Sequence, residues 1–363
     1  MVIRSGIQAT QQKTSPDIDS KELNAMPEFR KDPLFDRWVV IAPERANRPF
    51  EILDATVSQS TFDDPFAEGN ESATPSEVLA YRNAGSTANG PGWRVRIVPN
   101  QFPAVDRNGG LGTHSDGLNL TVEAWGVHDV IVECPHCESN LSHLSVENVR
   151  EVFLAYRDRM LDLKGDPRIA HISIFKNQGQ SAGASVRHSH SQLIATPIVP
   201  PLIQEELSRA LDHYEKTSQS IYQKIIEDEL RIGARVVLAT DHFVAICPFA
   251  SRFSFETWII PQRSNSHYFQ LTPIEVDDLG TVVKTILCKL ELACDNPPYN
   301  LAIHTAPVRA EDHPSFSWHL EILPRISGIA GFEWGAGIHI NSMPPEQAAA
   351  TLRSTACDHM IEK

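Results

Sequence analysis

No run of about 18 apolar residues occurs in this chain of 363 residues, so a membrane-spanning helix is not expected. Cysteine is scarce. Six in a chain this long are too few for a disulfide scaffold, which fits a reducing, cytoplasmic setting. Positive charge is also short: 32 Lys and Arg stand against 46 Asp and Glu, a formal net charge of −14. That balance argues against nucleic-acid backbones and anionic membranes as partners. An anionic ligand must then be met by a local cluster rather than by the overall field. The first 28 residues are polar, lack a signal-peptide core and read as an arm.

What is present is a core-forming composition, 41% hydrophobic, long enough for one large or two ordinary domains. The most informative segment is Arg187-His-Ser-His-Ser-Gln-Leu-Ile-Ala195. Read as a strand, it places His188, His190 and Gln192 on one face, roughly 6–7 Å apart. Ahead of it runs Gly179-Gln-Ser-Ala-Gly-Ala-Ser185, a loop able to present backbone N–H groups. A neutral imidazole can attack phosphorus, and its adduct splits one hard step into two. A carboxamide can hold phosphate oxygens without adding negative charge.

A faint repeat recurs at about 127–129 residues. Asp129-Val-Ile-Val-Glu-Cys-Pro135 has a counterpart in Glu256-Thr-Trp-Ile-Ile-Pro261, both rich in branched or aromatic residues. Helix starts follow each, at Leu144-Ser145 and at Leu271-Thr272-Pro273, the second with Glu275 placed for a capping box. The strand 170–175 pairs with 300–304, and His190 lines up with His319. The expectation is an α+β chain of two like halves with antiparallel sheets, packed as a pseudo-dimer. The bounds read from the sequence are an arm over 1–28, a catalytic half over 29–201, a helical linker over 202–234, a second half over 235–345 and a helix or tail over 346–363. The stretch from Val57 to Gly92 reads as a long loop.

At these motifs the chain resembles the galactose-1-phosphate uridylyltransferase family of the histidine-triad superfamily. The likeness runs from Arg30-Lys-Asp-Pro-Leu-Phe-Asp-Arg-Trp through Phe332-Glu-Trp-Gly-Ala-Gly-Ile-His-Ile-Asn341. It implies two histidine-triad-like halves, with His190 as the nucleophile and Gln192, His188 and Ser185 beside it. It places Arg45, Arg48, Asn100, Asn177 and Gly183 at the nucleotide and its phosphates, and Phe332, Glu333 and His339 at the hexose phosphate. A dimer is implied as well. The implied activity is uridylyl transfer between a nucleoside diphosphate sugar, UDP-glucose, and hexose 1-phosphate, with galactose 1-phosphate as the acceptor. The run Ala182-Gly-Ala-Ser185 and the segment Gly331-Phe-Glu333 resemble ADP-glucose phosphorylases as closely, with inorganic phosphate as acceptor. A dinucleoside polyphosphate phosphorylase and a non-catalytic nucleotide-binding protein are the other readings.

Departures concern metal. Where many relatives carry a zinc-binding Cys pair, this chain has Asp64-Pro-Phe-Ala67, and Cys137 replaces a His. The usual four-ligand zinc site therefore cannot form. Cys134 and Cys137 with His188, and Asp64 as a fourth ligand, could rebuild a structural Zn2+ site, or else stand as reduced thiols. The resemblance also implies a second metal, at Glu206 (or Glu205), His304, His319 and Glu321.

Overall fold

The structure, a computed structural model, describes residues 27–357 except 36, 44, 46–63 and 139. Nearly all of the expected arm, and Arg48, lie outside the described residues. In chain order come β1 (Glu28–Lys31), β2 (Trp38–Ile41), β3 (Leu79–Arg82), β4 (Trp93–Pro99), β5 (Thr113–Asp116), β6 (Asn119–Val122) and β7 (Val127–Val132). Then follow α1 (Val146–Leu163), β8 (His171–Gln178), β9 (His190–Thr196), α2 (Pro201–Thr217) and α3 (Ile221–Ile232). Next are β10 (Val236–Ala239), β11 (Phe243–Ile246), β12 (Thr257–Pro261), α4 (Pro273–Cys294), β13 (Tyr299–His304) and β14 (His319–Pro324). Last come α5 (Gly331–Ala336), β15 (His339–Asn341) and α6 (Pro345–Ser354).

Ten strands join one antiparallel sheet in the order β10-β11-β12-β14-β13-β8-β9-β7-β4-β3. The order is palindromic when each strand is exchanged for its counterpart: β3 for β10, β4 for β11, β7 for β12, β9 for β14, β8 for β13. The repeat is thus a structural one, an α+β fold of two like halves, and its seam is the β8–β13 pair, where Asn177 lies opposite Asn300.

Helix starts agree with their caps. The Ser145 side chain accepts the Asn148 N–H ahead of α1, and Thr272 with Glu275 forms a capping box on α4. Val149, Val152, Phe153 and Tyr156 of α1 and Val276, Leu279, Val283 and Ile286 of α4 share one core with Leu193, Ile174, Leu301 and Leu320 of the sheet. Because strand side chains alternate, the intervening residues face the opposite side. There α2 and α3 cover the second half, with Ile221, Tyr222 and Ile226 against Trp258 and Ile260. The corresponding face of the first half carries His190, Gln192 and Asn177 beside a small apolar cluster of Trp93, Val98, Val130 and Val132 with Phe66.

The long loop expected from Val57 to Gly92 is corrected at β3, an edge strand paired with β4. Four residues carry little periodicity, and what holds them is tertiary: Glu77 binds both Arg82 and Arg96. At the start of α4, Ile274 is exposed, while Val276 and Leu279 face the core. Among the described residues no helix is long and apolar enough to cross a membrane.

Candidate active site

Strand β9 begins at His190, and His188 lies just before it, yet both rings meet Phe66, at centroid distances of 5.4 and 6.1 Å. His190 Nδ1 stands 2.7 Å from the His188 carbonyl. A carbonyl only accepts, so Nδ1 carries the proton and the Nε2 lone pair is free. Burial lowers the pKa of His190, and the Lys176 charge behind the strand adds to it. The ring is held in the neutral form that can act as a nucleophile.

That Lys176, missed in the sequence, is fully buried on the helix side of the sheet. Its Nζ donates to Glu133 at 2.7 Å, to Ser189 Oγ at 2.9 Å and to the His190 carbonyl at 3.1 Å. Glu133 also accepts from Ser189, Ser191 and Tyr156. Burial alone would raise the Glu133 pKa, but Lys176 and these hydroxyls outweigh it and hold it low. The backbone at His190 is thus anchored by a buried ion pair. Nothing in the mixed strand His171–Gln178 singled this lysine out.

The loop between β8 and β9 turns through Gly179 (φ 81°) and Gly183 (φ 93°). Both conformations suit glycine. Asn177 ends up facing this loop: a Cβ on Gly183 would stand 3.6 Å from its Nδ2. Ser185 is exposed on the same loop. Gln192 accepts from His128 Nε2 at 2.9 Å. Asn100 closes β4 beside the same imidazole, its Nδ2 3.2 Å from Nε2 and its Oδ1 accepting the Phe102 N–H.

The sequence of this chain is similar to known proteins over nearly all of its length. The family model described as galactose-1-phosphate uridyl transferase, N-terminal domain, matches residues 16–200. A second, described as a domain of unknown function (DUF4921), matches residues 124–360. An ADP-glucose phosphorylase of Arabidopsis thaliana is 36% identical over 94% of this chain and 96% of its own length. The galactose-1-phosphate uridylyltransferase of Thermotoga maritima is 27% identical, covering 91% of this chain and 99% of its own. The crystal structure of an Arabidopsis thaliana ADP-glucose phosphorylase with bound ADP-glucose matches with a TM-score of 0.78 at 33% identity, covering 92% of this chain and 100% of that one.

The chain belongs to the galactose-1-phosphate uridylyltransferase family. It is a nucleotidyltransferase of that family.

Other positions singled out by the family resemblance are spread more widely. Arg45 is exposed just past β2, and His339 lies on β15, which pairs with β2 in a separate sheet. The His339 ring meets Phe253 at 5.4 Å, and Arg325 lies over the same Phe253 at 4.8 Å. Arg325 Nε donates to Asn300 Oδ1 at 2.5 Å, and Asn300 in turn donates to Asn177. A chain of contacts therefore links His339 to the His190 neighbourhood. Phe332 is half exposed on α5, and Glu333 accepts the Ala330 N–H at that helix's start.

Among the described residues, two groups have the donors and spacing to hold a cation. In the first, ligand atoms of Asp64, Cys137 and His188 lie within 4.8 Å of one another. His188 donates Nε2–H to the Cys134 carbonyl at 2.8 Å, and its Nδ1 stands 2.7 Å from Asp64. Burial works to raise the Asp64 pKa, but the His188 bond and the Phe66 N–H outweigh it and keep the carboxyl ionised. Cys134 is not in this group. Its thiol donates to the His136 carbonyl, and burial and Glu133 push its pKa up to about 12, far from a thiolate. In the second group, Glu206, His304 and His319 are buried within the same reach. Glu206 Oε2 and His319 Nε2 have no hydrogen-bond partner, as a bound cation would require. Glu321 adjoins them 3.6 Å from His304, with Arg252 on its Oε2 at 2.6 Å and its Oε1 unpartnered.

Proposed function

We propose that the chain transfers a nucleotidyl group through a covalent bond to His190. The observation that carries this is the tautomer: with Nδ1–H on the His188 carbonyl, Nε2 of a neutral, buried imidazole is left to attack. Its lone pair forms a P–N bond to the α-phosphorus of a nucleoside diphosphate hexose. The bridging P–O bond breaks, and its electrons leave with hexose 1-phosphate. Gln192, Asn177, Ser185 and loop N–H groups donate to the non-bridging oxygens, where removing one such donor lowers the rate by about 10²–10³-fold. An acceptor oxygen then takes the nucleotidyl group and frees the ring. In this reading Asn100 meets the nucleoside, Arg45 the phosphates, and Phe332, Glu333 and His339 the hexose phosphate.

The sequence comparison favours ADP-glucose as donor and inorganic phosphate as acceptor, because the phosphorylase relative is 36% identical and the Thermotoga uridylyltransferase 27%. Uridylyl transfer from UDP-glucose to galactose 1-phosphate is the second reading, supported by the family match. Steady-state rates with each donor crossed with each acceptor decide between them. The first reading expects turnover of ADP-glucose with phosphate to exceed turnover of UDP-glucose with galactose 1-phosphate, and the reverse order overturns it.

A metal at Asp64, Cys137 and His188, and a second at Glu206, His304 and His319, would cross-link loops to strands and is structural in this reading. Metal analysis of purified protein against His188→Ala and His304→Ala variants, with thermal midpoints as a second readout, tests both. The same reading takes the chain as a cytoplasmic homodimer. Exposed Phe332 and Trp334 on α5 support the dimer, and sedimentation velocity measures it.

A further inference from the structure

We infer that His128, and across the sheet seam Asn300 with Arg325, act as positioning residues that turn the amide N–H ends of Gln192 and Asn177 toward the transferring phosphate. This deepens, and rests on, the His190 reading above. A carboxamide is useful to a phosphate only one way round, because its N–H groups attract the anionic oxygens and its carbonyl repels them. Something must fix that orientation.

On the first side, the Ala104 backbone N–H lies 3.0 Å from His128 Nδ1 and can only donate. Nδ1 therefore accepts, and the ring proton sits on Nε2. Of the two groups beside that proton, Gln192 Oε1 at 2.9 Å can accept it and Asn100 Nδ2 at 3.2 Å cannot, so the carbonyl end of Gln192 is taken and its NH2 end is left for the ligand side. His128 is buried on β7 opposite Ile194, diagonal to Gln192, which lies opposite Val130.

The second side repeats the logic with different residues. Arg325 Nε can only donate, and it meets Asn300 Oδ1 at 2.5 Å. The NH2 of Asn300 is thereby committed to donation, to Ala182 O and to Asn177 Oδ1, both at 2.8 Å. Asn177 has its carbonyl occupied and its NH2 turned toward the Gly183 loop. Each amide is thus read out from one unambiguous donor, and the second half of the chain serves the first half's site through Asn300.

A double-mutant cycle tests this on the full-length protein. Adduct formation from ADP-glucose and UDP-glucose is timed by quenched flow and intact mass for wild type, His128→Phe, Gln192→Ala and the double variant. Donor affinity is measured by calorimetry in a His190→Ala background. His128→Phe is expected to slow adduct formation roughly 10–10²-fold, in line with loss of one donor, with donor affinity little changed. In the Gln192→Ala background the same change is expected to do almost nothing, and His128→Gln, which restores an N–H donor, is expected to recover much of the rate. Full, multiplicative loss in the Gln192→Ala background, or a wild-type rate for His128→Phe, overturns the inference. If His128→Phe does not fold, His128→Met takes its place in the same cycle. Failure of wild type to form an adduct from either donor would instead sink the His190 reading itself.

Discussion

His190 is kept neutral by burial, so its chemistry has a defined pH signature. Its pKa lies below the ordinary 6.5 of histidine. The rate of adduct formation should be flat through neutrality and fall only on an acid limb positioned below pH 6.5, where Nε2 takes a proton. A limb centred above 6.5 contradicts that assignment. Behind the ring, Lys176 and Glu133 form a pair with both side chains fully buried. Lys176→Met leaves the Glu133 carboxylate without its counter-charge, a change that destabilises by about 3–5 kcal/mol. Urea denaturation is expected to show a loss of that size. At this scale the sequence was legible where residues alternate along one strand, as on the shared face of His190 and Gln192. It was silent on Glu133, Lys176 and His128 because their partners come from other strands, and only the register joins them.

The element that carries the most backbone constraint is the loop from β8 to β9. Gly179 adopts φ 81° and ψ 155°, and a Cβ there would stand 2.9 Å from Pro298. Gly183 adopts φ 93° and ψ 13°, with only a 3.6 Å contact awaiting a Cβ. Gly179→Ala should therefore be the more harmful of the two: strain and clash combine in it, whereas Gly183→Ala meets strain alone, about 1–2 kcal/mol. Thermal midpoints order them, and equal midpoints contradict the account. The helix starts at Ser145 and Thr272 were legible because capping is local chemistry, a side-chain oxygen and an N–H three residues on. Strand β3 was not, because its hold comes from Glu77, Arg82 and Arg96, whose meeting depends on the folded sheet. The zinc expectation built on Cys134 shows the same limit. Cys-x-x-Cys spacing was visible, but the direction of the Cys134 thiol, toward His136, was not.

At the scale of the molecule, the two halves share one sheet, and the β8–β13 seam makes them continuous. A single cooperative unfolding transition is expected by calorimetry and by circular dichroism, and two separated transitions would contradict it. The repeat at about 127–129 residues made this architecture legible, while the closing of the two sheets into one was a matter of edge pairing that no motif announced. Acid should weaken the fold in a window set by buried histidine. Burial lowers the His171 pKa to about 4 from 6.5. The unfolded chain then binds the extra proton first, so stability is full above pH 6.5 and drains as pH falls toward 4. Thermal midpoints measured across that range should decline, and His171→Gln should flatten the slope.

The central claim is the covalent bond to His190, and intact-protein mass spectrometry after mixing with ADP-glucose, and separately with UDP-glucose, tests it most directly. The account predicts a nucleotidyl adduct on wild type, mapped to the peptide holding His190, absent from His190→Ala and discharged by the matching acceptor. Folded wild-type protein that turns over substrate with no such adduct, or an adduct that survives in His190→Ala, would contradict it.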